Sequence, residues 1–174
     1  MRIYRGRIEP TSDEIVKKLI KEEMVEIEPD QVDEVKKDIE SVLNEYLRME
    51  REINDKAKDI VARQDTGYSA IGRIKRGLAK EKNFGMEDDA LDYIVQQMIE
   101  IMFSSAHVEE VFGEDHDINR IIAPILRKHM AVDEELEKEV KKQLKHLADA
   151  EGTQSYENEY SRVRANLERL KKLN

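Results

Sequence analysis

Residues 15–33 read IVKKLIKEEMVEIEPDQVD and residues 74–92 read IKRGLAKEKNFGMEDDALD. A shift of 59 positions lays Ile15 on Ile74, Leu19 on Leu78, Lys21-Glu22 on Lys80-Glu81, Glu28 on Glu87, Asp30 on Asp89 and Asp33 on Asp92. In both segments apolar residues at helical spacing lead to a short extended link and then to an acidic helix start. A repeated supersecondary unit seldom buries its apolar face alone, so the two copies are expected to pack on each other.

Working outward, the first copy continues into the clearest element of the chain. Val32, Val35, Ile39, Val42, Tyr46, Met49, Ile53 and Ile60 recur at threes and fours, with Ala57 filling the one gap, at Lys56. Such a stripe lets a helix seat along a partner helix, as in a coiled coil. From Pro29 to Arg63 it predicts a rod about 50 Å long. The second copy repeats the stripe at Leu91, Ile94, Met98, Ile101, Ser105, Val108 and Phe112. Val95, Ile99, Met102 and Phe103 widen its apolar arc, which marks residues 90–106 as the structural centre.

Upstream, RIYRGRI over residues 2–8 has the β-branched and aromatic content of a short strand. Thr11 and Glu14 have capping-box spacing for a helix from about Ser12 to Met24. The links Val25–Glu28 and Phe84–Glu87 are expected to be extended and to pair side by side. Gly67 suits a left-handed stop after the rod. Downstream of the break at Gly113-Glu114-Asp115, a helix from Asp117 to His129 carries Pro124, which predicts a kink or a division. Asp133 is positioned to cap a helix bearing Leu136, Val140, Leu144 and Leu147. A last helix with Tyr156, Tyr160, Val163, Leu167 and Leu170 follows the link 149–153, and its expected partner is the helix just before it. The predicted fold is all-α: a helical unit over 1–66, a second over 67–130, and a helical hairpin over 131–174.

Composition agrees. The chain has 40% charged residues against 39% hydrophobic, with only 7 Gly and 3 Pro among 174 residues, which favours helices over turns and strands. Its net charge of −9 repels phosphate backbones except at a local basic patch. With no Cys, disulfides and thiolate zinc sites are excluded. MRIYRGRIEP lacks the apolar core of a signal peptide, and no run approaches the ~18 apolar residues of a membrane span. A soluble cytoplasmic protein is the expectation.

The strings DIESVLNEYLRMEREINDKAKDI, GRIKRGLAKEKNFGMEDDALDYIVQQMIE, HVEEVFGEDHDINR and DEELEKEVKKQLKHL resemble the bacterial family known as domain of unknown function 507, as do the opening MRIY and the closing EYSRVRANLERLKK. The resemblance covers nearly the whole chain. It implies a small bacterial, cytoplasmic protein, and it brings no assigned activity and no catalytic residues.

Three constellations bear on function. His107, Glu110, Glu114 and His116 form an imidazole- and carboxylate-bearing string that would suit a metal if His107 and Glu110 shared a helical face. Read more simply, Glu114-Asp115 supplies negative charge to a helix start and His116 is a solvated turn residue. Neither His-Glu-x-x-His nor His-x-x-Glu-His is present. Arg73, Arg76 and Lys80 follow helical spacing and make a basic face suited to RNA or ribosomal phosphates, although an ordinary solvated face is the simpler account of them. No aromatic residues interleave with them except Tyr68 at the edge. Ser104 and His107 are three apart, but such a local pair more often satisfies backbone hydrogen bonds than attacks a substrate.

No cofactor is expected. The chain reads as a non-enzymatic interaction or assembly factor whose partner is another protein or itself. An RNA-associated protein using Arg73, Arg76 and Lys80, and a metal-dependent enzyme around His107 and His116, are the alternatives. No membrane contact is expected.

Overall fold

One long helix, α2 (Val32–Gln64), organises the first 130 residues. The computed structural model describes residues 2–64, 67–150 and 154–173. Val35, Ile39, Leu43, Tyr46, Ile53, Ala57 and Val61 are buried along α2. This face drifts from the stripe read in the sequence: Leu43 is enclosed while Val42 is only half-buried, and Val61 replaces Ile60. An α-helix has 3.6 residues per turn, so a contact face held over 33 residues must advance around the strict heptad positions. Three shorter helices share that face: α1 (Arg5–Lys21), α3 (Ile71–Glu81) and α4 (Ala90–Ser104). The expected packing of the two copies is met only in part: α2, which continues the first matched segment, packs on α3 and α4, whereas α1, which holds most of that segment, packs on α2 and α5. A further helix, α5 (Asp115–Met130), packs on α1 and α4 and completes the main core.

From Arg5 on, the amino-terminal run is helical where a strand was expected over residues 2–8. Ile8, Thr11, Ser12, Ile15, Val16 and Leu19 make one buried face of α1, and this long-range burial overrides the β-leaning composition of residues 2–8. Pro10 lies inside the helix on its exposed side. Thr11 and Ser12 are consequently not caps. Their hydroxyls donate back to the Arg7 and Glu9 carbonyls, the local bond that lets such residues sit within a helix. Pro29 lies in the turn before α2 rather than in its first turn, and α5 runs unbroken through Pro124.

The two links do not pair with each other. β1 (Val25–Glu26) pairs antiparallel with β2 (Glu110–Val111), Val25 opposite Val111 and Glu26 opposite Glu110. Glu87 has a left-handed backbone, φ 56°, and opens a 3₁₀ turn over Glu87–Asp89, so that link lacks the length to form a strand. α4 stops at Ser104; Ser105, Val108 and Phe112 belong to no helix.

Three helices end alike. After α1, Glu23 adopts φ 55° while its N–H donates to Ile20 and that of Met24 to Leu19. After α3, Asn83 at φ 49° and Phe84 repeat this on Lys80 and Ala79. These are Schellman endings. They correspond at 60 positions, one more than the 59 that best aligns the sequences. Gly67 has φ 72°, as its place after the rod requires.

The carboxy-terminal part holds α6 (Val132–Gln143), a 3₁₀ turn over Lys145–Ala150 and α7 (Gln154–Leu170). Asp133 falls inside α6 rather than capping it. Residues 151–153 of the expected link lie outside the described residues. α6 and α7 pack together around Leu136, Val140, Leu144, Tyr156 and Leu167, forming a second core that also takes in Tyr4 and Leu173. α7 ends with the third Schellman motif, Lys172 at φ 54° and Leu173 N–H on the Glu168 carbonyl at 2.9 Å.

Candidate functional site

The segment 105–113, between α4 and α5, is laid as a strap over the start of α2 and the end of α1. Beyond Ser104 the backbone turns extended at Ser105 (ψ 131°), and the Ser105 hydroxyl donates to Asp38 Oδ2 at 2.5 Å. His107 N–H donates to Ser105 Oγ at 3.2 Å, while the ring Nδ1 lies 2.8 Å from Gln31 Oε1. An amide oxygen only accepts, so Nδ1 carries the proton in this pairing. Glu109 N–H then reaches the Glu26 carbonyl at 2.9 Å, β2 pairs with β1, and the N–H groups of Phe112 and Gly113 both donate to Met24 O at 2.9 and 3.1 Å. Gly113 lets the strap pass close to its neighbours: a Cβ there would lie 2.8 Å from Met24 Sδ and 3.0 Å from Ile118 Cγ1, so those side chains would have to shift.

This arrangement dismantles the premise of the metal reading. His107 and Glu110 share no helix, because His107 is committed to Gln31 and Glu110 sits exposed in β2. His116 and Glu114 do come together, with Nδ1 3.4 Å from the carboxylate, and Asp117 lies 3.1 Å from Nε2. All three are at the solvated start of α5, where negative charge complements the helix dipole. Among the described residues no group of three His, Cys, Asp or Glu is placed to hold a metal ion. Ser104 donates to the Ile101 carbonyl at 3.2 Å and does not meet His107.

The strap instead exposes apolar surface. Phe103 and Phe112 are each 56% exposed, and Ile20, whose carbonyl accepts from Glu23 in the same helix ending, is 38% exposed. Phe103 thus departs from the buried arc expected of it. The main chain at Ser105 leaves the helix and draws the following residues across α2, so nothing covers the last turn of α4 on that side. Three of the four large apolar side chains exposed among the described residues lie at this end of the helices, Ile20 near the end of α1, Phe103 in the last turn of α4 and Phe112 on the strap; the fourth, Leu170 at 78%, is on α7.

Arg73, Arg76 and Lys80 all lie exposed on α3, the helical face expected for them. Arg73 and Lys80 make no ion pair among the described residues, whereas Arg76 is 3.8 Å from Glu87. Lys75 points the other way, into a cleft of about 870 Å³ that also contains Lys58 and Arg51. Burial first, and then the neighbouring Lys58, hold its ammonium below the usual lysine range. The exposed basic face is not isolated. It borders a second cleft, of about 910 Å³, whose far wall carries Glu87, Asp88, Asp89, Asp92 and Glu100.

Several polar contacts escaped the sequence because their partners are remote. Ser105 and Asp38 are 67 residues apart, His129 and Glu14 are 115 apart, and Arg164 reaches Tyr4 across 160. No local spacing signals such pairs.

Among the described residues, no helix is long and apolar enough to cross a membrane. No protein of curated function matches the chain. A family described as protein of unknown function (DUF507) matches residues 1–172, the same family that the quoted strings resemble, and the chain belongs to it.

Proposed function

We propose that this protein is a non-enzymatic interaction factor that holds a protein partner against the end of the helices where Ile20, Phe103 and Phe112 are exposed. The observation that carries this reading is that two of the chain's 3 Phe residues stand 56% exposed at one end of the helices, Phe103 in the last turn of α4 and Phe112 on a strap anchored to the body by five hydrogen bonds and a strand pair. Large aromatics on a rigid support suit an interface, since little conformational entropy is lost when they are covered. Binding assays with Phe103→Asp and Phe112→Asp test it. Because both side chains are exposed, the variants should fold with stability within about 0.5 kcal/mol of the parent. A partner captured by the parent from native extract should be lost from both. Equal capture by parent and variants would overturn the reading.

A second reading, RNA or ribosome contact through Arg73, Arg76 and Lys80, draws support from their exposure on one face of α3. It is the weaker of the two because an acidic wall stands beside the basic one and repels a phosphate backbone. Retention on RNA with a steep salt dependence, abolished by reversing the three charges, would favour it.

A further inference from the structure

α3 leans on α2, and a cleft of about 910 Å³ opens between α3 and α4. Its floor is apolar and aromatic: Phe84 is buried, and Tyr93 stands half-buried with the two ring centroids 5.0 Å apart in an edge-on arrangement. One wall is basic, with Arg76 and Lys80 exposed on a helix that carries four cations and a single Glu. The other is acidic, with Asp89, Asp92 and Glu100 exposed on α4 and the turn before it. The walls scarcely neutralise each other. Arg76 with Glu87, at 3.8 Å, is the one ion pair joining them, and Lys80, Asp89 and Asp92 form none among the described residues.

A cleft with one cationic and one anionic wall is complementary to itself. A twofold rotation about an axis through the floor lays the basic wall of one molecule on the acidic wall of the other, twice over. That is the geometry of an isologous interface, in which the same patch serves both partners. We infer that the α3–α4 cleft is a self-association surface, and that its occupant is the same cleft of a second copy of this chain. Charge complementarity argues for a second copy. An all-acidic partner would be repelled by α4 and an all-basic partner by α3, whereas this chain itself presents both signs at the matching separation. The site is separate from the Phe103–Phe112 end, so either proposal can fail without the other.

Sedimentation or light scattering at low and high salt tests the inference. The parent should be a dimer at low salt, with a dissociation constant weakened at least about tenfold at high salt, since rim charges are screened beyond the Debye length. Arg76→Glu with Lys80→Glu makes both walls acidic, and Asp88→Lys, Asp89→Lys, Asp92→Lys and Glu100→Lys together make both basic. Each variant alone should be a monomer, and the two mixed should form a heterodimer in which every wall meets its opposite. Should a reversed variant fold poorly, Lys80→Ala with Asp92→Ala should still weaken the dimer at least about tenfold. A parent that stays monomeric at low salt, or a dimer that the substitutions leave unchanged, would overturn the proposal.

Discussion

The Gly6 amide donates to the Leu173 carbonyl at 3.0 Å, tying the first turn of α1 to the end of α7. A helix begins with N–H groups that have no intrahelical partner, and here the other end of the chain supplies one acceptor. Gly6 allows the approach because a side chain there would collide with the Lys172 carbonyl. Gly6→Ala should therefore loosen the hairpin from the body, with a loss of about 1–3 kcal/mol typical of overpacking. Chemical denaturation measures the loss, and faster proteolysis within 131–173 locates it.

Arg164 is the polar centre of the hairpin. It bonds Glu137 and Glu168, and its guanidinium also donates to the Tyr4 and Tyr160 hydroxyls. Its side chain is only 15% exposed. Arg164→Met should destabilise by about 2–3 kcal/mol, less than the ~3–5 of a fully buried pair because Glu137 keeps partial access to water. With no Trp in the chain, the near-ultraviolet dichroism of the tyrosines reports the change.

The Glu14–His129 contact predicts a pH dependence. His129 is buried, with Nε2 2.8 Å from the Glu14 carboxylate, and Lys128 lies 2.9 Å from the same group. Lys128 chiefly, and then His129, hold the Glu14 carboxyl below its ordinary value of 4.5. A depressed carboxyl stabilises the fold fully above that ordinary value, and its contribution is lost as pH falls through the folded value. Melting curves of the parent and Glu14→Gln should thus show their full gap above pH 4.5 and converge as pH falls below it. Failure of the gap to narrow in acid would count against the pairing.

Glu23 and Lys172 hold left-handed backbones that glycine adopts without steric cost. Glu23→Gly and Lys172→Gly should each stabilise by about 0.5–1 kcal/mol, the left-handed penalty relieved less the extra unfolded-state entropy. Asn83→Gly should gain less, since asparagine tolerates this conformation. Urea midpoints of the three variants would rank them.

Much of the helical class was legible because its signals are local. The stripe along α2, the sparse Gly and Pro, and the apolar runs of α4, α5 and α7 each declare a helix within one or two turns of chain. The reading went astray where a local preference met a distant demand. Residues 2–8 look extended, yet burial of Ile8 beside Ile15 recruits the end of that run, from Arg5 on, into α1. Phe112 continues a helical stripe in sequence, yet Ser105 bonded to Asp38 turns the chain away before the stripe can be used. The basic face was readable from the spacing of Arg73, Arg76 and Lys80; the acidic wall facing it was not, because it belongs to another helix.

The sequence alone determined that this chain is helical, where its longest helix runs, and which family it resembles. These follow from side-chain periodicity and propensity, which act between residues three or four apart. Only the tertiary structure decided that β1 pairs with β2, that Phe103 and Phe112 stay exposed, and that α3 and α4 leave a cleft of opposed charge. Those outcomes depend on which surfaces compete for the same partner across scores of residues, and burial free energy, being non-directional, is settled by the whole packing arrangement.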